Sequence, residues 1–312
     1  MDIFKICINA VLPLFIIMLA GYLTRRVGVI GLKDVLKMNS VCFKLFLPAM
    51  CFINIYDSNL SELYNTKLVV FIIASIHVNF ALGVLYVKRF VPDDRQKGVV
   101  LQGLFRTNFL VTALPMARNL VGDSILSKVG VLLFIIVPLF NILSVIAMKA
   151  FIGEKTDIKS LILNMLKNPL IESFILVLFL MIFHLHLPPA LESAVRSFGS
   201  MASTLALFLV GAFLDFGNVK GNLKIVMTVT TMRLILIPGF FLLISALLGF
   251  RDESFVLLLG FFSSSVAVAA FTMSEQMGGD GQLASSIVIM TSALLPITFF
   301  LWSMLFMNLG MF

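Results

Sequence analysis

Of the chain's 312 residues, 60% are hydrophobic and only 12% charged, which excludes a soluble globule, because such a globule needs far more polar surface, and marks a polytopic membrane protein. The formal net charge of +7 does not signal nucleic acid, since the basic residues sit in short loops between apolar runs rather than on one face or arm. Cys7, Cys42 and Cys51 have neither metal-ligand nor disulfide spacing and read as small packing residues, so no metal and no cofactor is expected.

Runs near the ~20 residues that cross a bilayer follow one another along the chain. Ile6 to Thr24 is too long for a signal-peptide core and lacks a small-x-small cleavage site, so it reads as an uncleaved first span. Met38 to Ile55 follows with Lys44 inside it, then Leu68 to Val87, then Gly98 to Leu120 with Arg106 inside it, then Val129 to Met148. The second half repeats the series with Ser173 to Leu191, Ser197 to Leu214, Ile225 to Phe250 containing Arg233, Ser254 to Ser274, and Leu283 to the end. The expectation is ten transmembrane helices.

The loops assign the sides, because Lys and Arg accumulate in the cytoplasm. Fourteen of them, from Arg25 and Arg26 through Lys88, Lys97, Lys149 and Lys167 to Lys224, fall on one side, against six on the other: Lys5, Lys67, Arg118, Lys128, Arg196 and Arg251. Both termini are therefore expected outside a cytoplasmic membrane.

Two stretches resemble each other without a gap, Gly103 to Leu126 and Gly260 to Leu283, with eight identities that include Gly103/Gly260, Phe105/Phe262, Met116/Met273 and Gly122-Asp123/Gly279-Asp280. Chance in so apolar a chain accounts for roughly two or three, so an internal duplication is the better reading. Matching the fourth span with the ninth divides the chain into two units of five, residues 1–152 and 168–312, joined by a cytoplasmic loop at 153–167. Five is odd, so the second unit enters the membrane from the opposite face, an inverted repeat. Each copy is an apolar segment interrupted by small and polar residues, as where a transporter breaks a helix to build a binding site.

Leu12-Pro13-Leu14, Gly21-Tyr22 with Arg25-Arg26, Asn39 followed by Phe46-Leu47-Pro48-Ala49, Arg106-Thr107-Asn108 with Pro115 and Gly122, and Gly279-Asp280 together resemble the auxin efflux carrier family along essentially the whole chain. The resemblance implies an all-α fold of ten helices in two inverted five-helix repeats, with helices 4 and 9 unwound where they cross. It also implies an organic-anion substrate, as for the bacterial permeases of malate and similar carboxylates. Two positions depart from the family's pattern: Ser263-Ser264-Ser265 replace a ninth-helix proline, none occurring between Pro238 and Pro296, and Thr204 stands where the seventh helix often has one.

Arg106 is the sharpest candidate for substrate contact, ~13 Å into its span if the helix begins near Lys97. A guanidinium at that depth is costly unless it meets an anion, carbonyls or water, and it offers a carboxylate two parallel hydrogen bonds. Thr107 and Asn108 beside it, and Ser263, Ser264 and Ser265 opposite in the repeat, complete the expected site. Pro115 removes an amide donor and should free carbonyls near Val111, while Asn39 and Pro48 are read as shaping the crossover from the second span. Arg233 and Lys44 are candidate pathway charges, paired with Glu172 or Asp215 in the simpler reading. His77 is open to titration in a proton-coupled cycle but reads more simply as a packing residue.

These residues lack the arrangement of an intramembrane enzyme: there is no HExxH and no aspartate pair at mid-depth. The expectation is a secondary transporter of small organic anions such as mono- or dicarboxylates, working by alternating access. A membrane-embedded sensor, receptor or channel on the same fold is the alternative. The expected partners are the anion and the bilayer, and no nucleic acid. A coupling proton or sodium ion and a homodimeric assembly are left open.

Overall fold

A computed structural model describes residues 3–57, 65–123, 125–152, 168–217 and 223–312. The expected connecting loop at 153–167 lies outside the described residues. Twelve helices occupy the described chain: α1 Ile3–Arg26, α2 Leu32–Tyr56, α3 Thr66–Phe90, α4 Asp94–Phe105, α5 Phe109–Val121, α6 Ile125–Ile152, α7 Pro169–Ile182, α8 Pro189–Phe213, α9 Leu223–Leu247, α10 Asp252–Ser263, α11 Val268–Gln276 and α12 Gly281–Asn308. Seven of the described helices are long and apolar enough to cross a membrane, and α5 and α7 are shorter apolar ones.

The helices begin where the sequence supplies caps. Asn65, Asp93, Asn168 and Asp280 each accept an amide of the first turn, from Leu68, Arg95, Leu170 and Leu283, satisfying donors that have no partner inside the helix. Three helices contain a π-turn, Cys42–Phe46, Phe109–Ala113 and Met232–Leu236, and each ends two residues before a proline: Pro48, Pro115 and Pro238. The proline ring crowds the carbonyl four residues back. Opening the turn relieves the crowding, and the amide just before each proline reaches five residues back: Leu47 to Cys42, Leu114 to Phe109 and Ile237 to Met232. Pro115, Pro48 and Pro238 thus each stand two residues after a π-turn.

Helices α1 and α8 pack backbone to backbone. A Cβ placed on Gly21 would stand 1.9 Å from the Phe208 carbonyl oxygen, and one on Gly211 would stand 1.8 Å from that of Met18. Only glycine permits that approach. At one end of this pair Arg25 donates to the Ala212 and Phe213 carbonyls and to Asp215 Oδ2, at 2.9 Å. Asp215 thus serves Arg25 rather than Lys44 or Arg233. At the other end Arg196 ties α8 to the end of α2 through both Asp57 oxygens, at 2.6 and 2.7 Å, and holds Glu192. Phe4 meets Phe300 edge-on with ring centroids 5.5 Å apart, which brings the start of α1 beside the last third of α12.

Candidate functional site

Two interruptions meet at the centre of the molecule. The first falls at Arg106–Asn108 between α4 and α5, the second at Ser264–Ala267 between α10 and α11. The segments run antiparallel, with an isolated β-bridge between Thr107 and Val266. Asn108 donates its amide to the Ser265 carbonyl at 2.8 Å, and Ala267 donates to that of Arg106. The breaks lie within one to two residues of equivalent places in the aligned repeat, and the second forms without a proline.

Breaking a helix leaves carbonyls at one end and amides at the other without partners, and burial makes each costly. Named side chains settle many of them here. The Leu104 carbonyl accepts from Asn79 Nδ2 at 3.1 Å and from Arg233 Nη1 at 3.3 Å; Arg233 Nε donates to the Ser264 carbonyl at 3.1 Å. The Phe109 amide is capped by Thr107 Oγ1 at 2.9 Å, and the Val266 amide by Thr291 Oγ1 at 3.2 Å.

On one side of the crossing lies a cavity of about 140 Å³. Its polar lining is Arg106, Thr107, Asn108, Asn39 and Asn141, and it is also lined by the first residues of α5 and by Ala267 to Ala269 at the start of α11. The Arg106 side chain is buried, 7% exposed. It donates to Ser144 Oγ at 2.9 Å and Asn141 Oδ1 at 3.0 Å, more weakly to Gln102 Oε1 at 3.5 Å, and lies against Met273 Sδ. All of these are neutral groups, and among the described residues no carboxylate pairs with it. Two buried amide donors in this neighbourhood, Gln102 Nε2 and Asn108 Nδ2, have no partner. The N-terminal ends of α5 and α11 add partial positive charge, of order half a unit each. The cavity therefore offers the Arg106 cation, the unpartnered Asn108 amide and positive potential, the complement of a small anion.

A second, larger cavity of about 410 Å³ lies further along the same helices, lined by Asn54, Pro115, Arg118, Asn119, Arg196, Ser200, Ser203 and Thr204 among others. Three helices contribute to both, and on each the nearest residues of the two cavities are three apart: Leu47 and Met50 on α2, Val111 and Leu114 on α5, Val210 and Leu207 on α8. At ~1.5 Å per residue the partition is about one helical turn thick, ~4.5 Å, and the six residues that face the two cavities across it are apolar.

The sequence candidates distribute unevenly around this centre. Arg106, Thr107, Asn108 and Asn39 line the small cavity, and Pro115 lines the larger one. Ser263, Ser264 and Ser265 are fully buried at the second break, outside the lining of both cavities. Ser264 Oγ accepts from Arg233 at 3.2 Å, and Ser265 supplies its carbonyl to Asn108. Pro48 is buried beside its π-turn. Lys44 is exposed on the outer face of α2 and His77 on that of α3, the histidine bonded to the Ile73 carbonyl of its own helix. Asn141, Ser144 and Gln102 went unnoticed in the sequence; the available signal was an asparagine three residues after Pro138 in an otherwise apolar run.

The described residues contain no cluster of three or more His, Cys, Asp or Glu suited to a metal ion. The family profile described as membrane transport protein matches residues 6–303. The chain belongs to that family, the auxin efflux carriers. A protein of Methanothermobacter thermautotrophicus described as an uncharacterized transporter is 23% identical over 306 residues, covering 95% of this chain and 97% of its own length. Membership, with several long apolar helices, makes the chain a multi-pass membrane protein of a transporter family rather than of an enzyme family.

Proposed function

We propose that this membrane transport protein is a secondary transporter of small organic anions, mono- or dicarboxylates such as malate, and that the 140 Å³ cavity at the crossing is its binding site. The observation that carries the reading is Arg106: a buried guanidinium with only neutral partners, where two half-helix N-termini and two unpartnered amide donors converge. An anion supplies the acceptors and the negative charge that this site lacks. The size argues for a small one, since drug-sized ligands occupy ~300–1,000 Å³.

In this reading the chain crosses a cytoplasmic membrane ten times as two inverted five-helix units, residues 1–152 and 168–312, with both termini outside. The antiparallel meeting of the breaks and the eight repeat identities support it. Arg106 receives the carboxylate, Asn108 and the α11 N-terminus orient it, and Ser264 and Ser265 hold the crossing from behind. The 410 Å³ cavity on the side of Arg118 and Arg196 is the extracytoplasmic vestibule. Rocking of one unit against the other opens the one-turn partition and closes the site toward the cytoplasm, which is alternating access.

The test is counterflow in liposomes with a panel of labelled mono- and dicarboxylates at zero imposed gradient. Saturable exchange of one or more acids is expected. Absence of exchange for every acid, by protein that is folded and correctly inserted, would move the reading to a sensor on the same fold.

A further inference from the structure

Arg233 bonds to both interrupted segments and lies outside the lining of the anion cavity. It is 1% exposed and sits in the π-turn of α9. Its three nitrogens are used on two chain ends: Nη1 on the Leu104 carbonyl near the end of α4, and Nε and Nη2 on the carbonyl and hydroxyl of Ser264 just past the end of α10. Helix C-termini carry partial negative charge, so two such ends converge on one cation. Among the described residues no carboxylate pairs with Arg233. The surroundings offer further oxygens: Ser263 Oγ and Ser265 Oγ flank the contact in sequence, Thr230 Oγ1 lies one turn earlier on α9, and all three are buried without a partner.

Unwound carbonyls and half-helix C-terminal ends are the groups with which broken-helix transporters coordinate a monovalent coupling cation. Here a side chain of the protein occupies that position. We propose that Arg233 is a resident cation that takes the place of a dissociable coupling ion at the crossing, and that it is a positioning residue for the anion site. By holding the Leu104 and Ser264 carbonyls it fixes both interrupted segments, and through them Arg106 and Asn108. A guanidinium suits the task because its planar fork reaches two acceptors at once, which a lysine ammonium does not do with the same geometry. The positive charge is then permanent, and the crossing needs no sodium ion.

The inference rests on the anion-site reading only for its consequence in transport; its principal test reads the cation directly. Thermal unfolding of the purified full-length chain in nanodiscs is followed at constant ionic strength, titrating guanidinium or sodium chloride against choline chloride, for wild type, Arg233→Ala and Arg233→Lys. The wild-type midpoint is expected to be unmoved by either ion. The Arg233→Ala midpoint is expected to rise saturably with millimolar guanidinium, because the vacated carbonyls accept the free ion. A saturable sodium-dependent rise in wild type would overturn the proposal, as would the absence of any guanidinium response in Arg233→Ala. Should the alanine variant fail to fold, Arg233→Lys carries the test: its retained charge should leave its midpoint, like that of wild type, without a sodium-dependent rise, and such a rise would refute the proposal. Carboxylate counterflow by wild type with choline replacing sodium on both sides should be unchanged. Counterflow present in sodium but lost in choline would overturn the proposal, whereas absence of counterflow in both media with the thermal responses intact would instead count against the anion-transport reading.

Discussion

Replacing Arg106 by Gln should separate binding from stability, weakening the first without lowering the second. The guanidinium meets only neutral acceptors, Asn141 Oδ1 at 3.0 Å and Ser144 Oγ at 2.9 Å foremost. A carboxylate bound to its fork forms two charge-assisted hydrogen bonds, each contributing ~1.5–3 kcal/mol. Taking the lower figure twice gives ~3 kcal/mol, or about two orders of magnitude in affinity at ~1.4 kcal/mol per decade. The empty protein, by contrast, is relieved of a buried cation that no acidic group offsets, and the glutamine amide can still donate to Asn141 or Ser144. Its thermal midpoint should stay level or rise. Arg106→Lys keeps the charge but not the fork, and should fall between, at roughly tenfold weaker binding. Binding of a labelled carboxylate to protein in nanodiscs, with unfolding followed in parallel, measures both quantities. Affinity within about threefold of wild type in a folded Arg106→Gln protein would refute the assignment of this arginine to the anion, since ~0.6 kcal/mol is too little for a lost bidentate pair.

Gly211→Val places a branched side chain against the Met18 carbonyl, where even a Cβ stands at 1.8 Å; the α1–α8 pair must separate, at a cost of ~1–3 kcal/mol or more, visible as a lowered unfolding midpoint. An unchanged midpoint would show that the two helices do not approach so closely. Thr291→Val removes the acceptor of the buried Val266 amide and should cost ~1–3 kcal/mol, whereas Thr291→Ser, which keeps the oxygen, should cost much less. Equal losses in the two variants would mean that the methyl group and not the hydroxyl matters. At the turn after α5, the hydrogen bond from Arg118, aided by its charge, outweighs desolvation and holds the Asp123 carboxyl below its ordinary range. Its stabilising contribution is complete above the unfolded pKa near ~3.9 and is lost as pH falls through the lower folded value. Arg118→Gln should raise the Asp123 pKa toward the ordinary value in a carboxyl NMR titration, and no rise would mean that the pair is not formed.

The sequence made the long apolar helices legible because membrane spans are written in a single composition signal, and it made the breaks legible because small and polar residues interrupt that signal at matching places. Arg106 stood out for the same reason: a charge inside an apolar run has few tolerable environments. The partners of Arg106 did not stand out. Asn141 and Ser144 come from α6, and nothing in a linear chain says which face of that helix turns toward Arg106. The serines of the second break illustrate the opposite limit. Their alignment with Arg106–Asn108 locates them at the crossing, yet alignment carries no information about which side of it each hydroxyl faces, and the structure turns Ser264 toward Arg233. Lys44 shows that depth along a helix is readable while rotation about its axis is not, because the residue reaches mid-span on the outer face.

That rotation has a countable cause in α2. Along an uninterrupted α-helix, each residue turns ~100°, and Leu47 would sit ~80° round the axis from Asn39. The π-turn Cys42–Phe46 absorbs one residue, which brings Leu47 back to within ~20° of Asn39, and both line the same cavity with Phe43 between them. A helical wheel drawn through this span therefore goes out of phase at Pro48's π-turn, and faces assigned from one half cannot be carried to the other. Deleting a single residue between Cys42 and Phe46 would let the π-turn close to an ordinary turn and leave both halves in phase, whereas the same deletion elsewhere in α2 would swing everything on one side of it by more than a quarter turn.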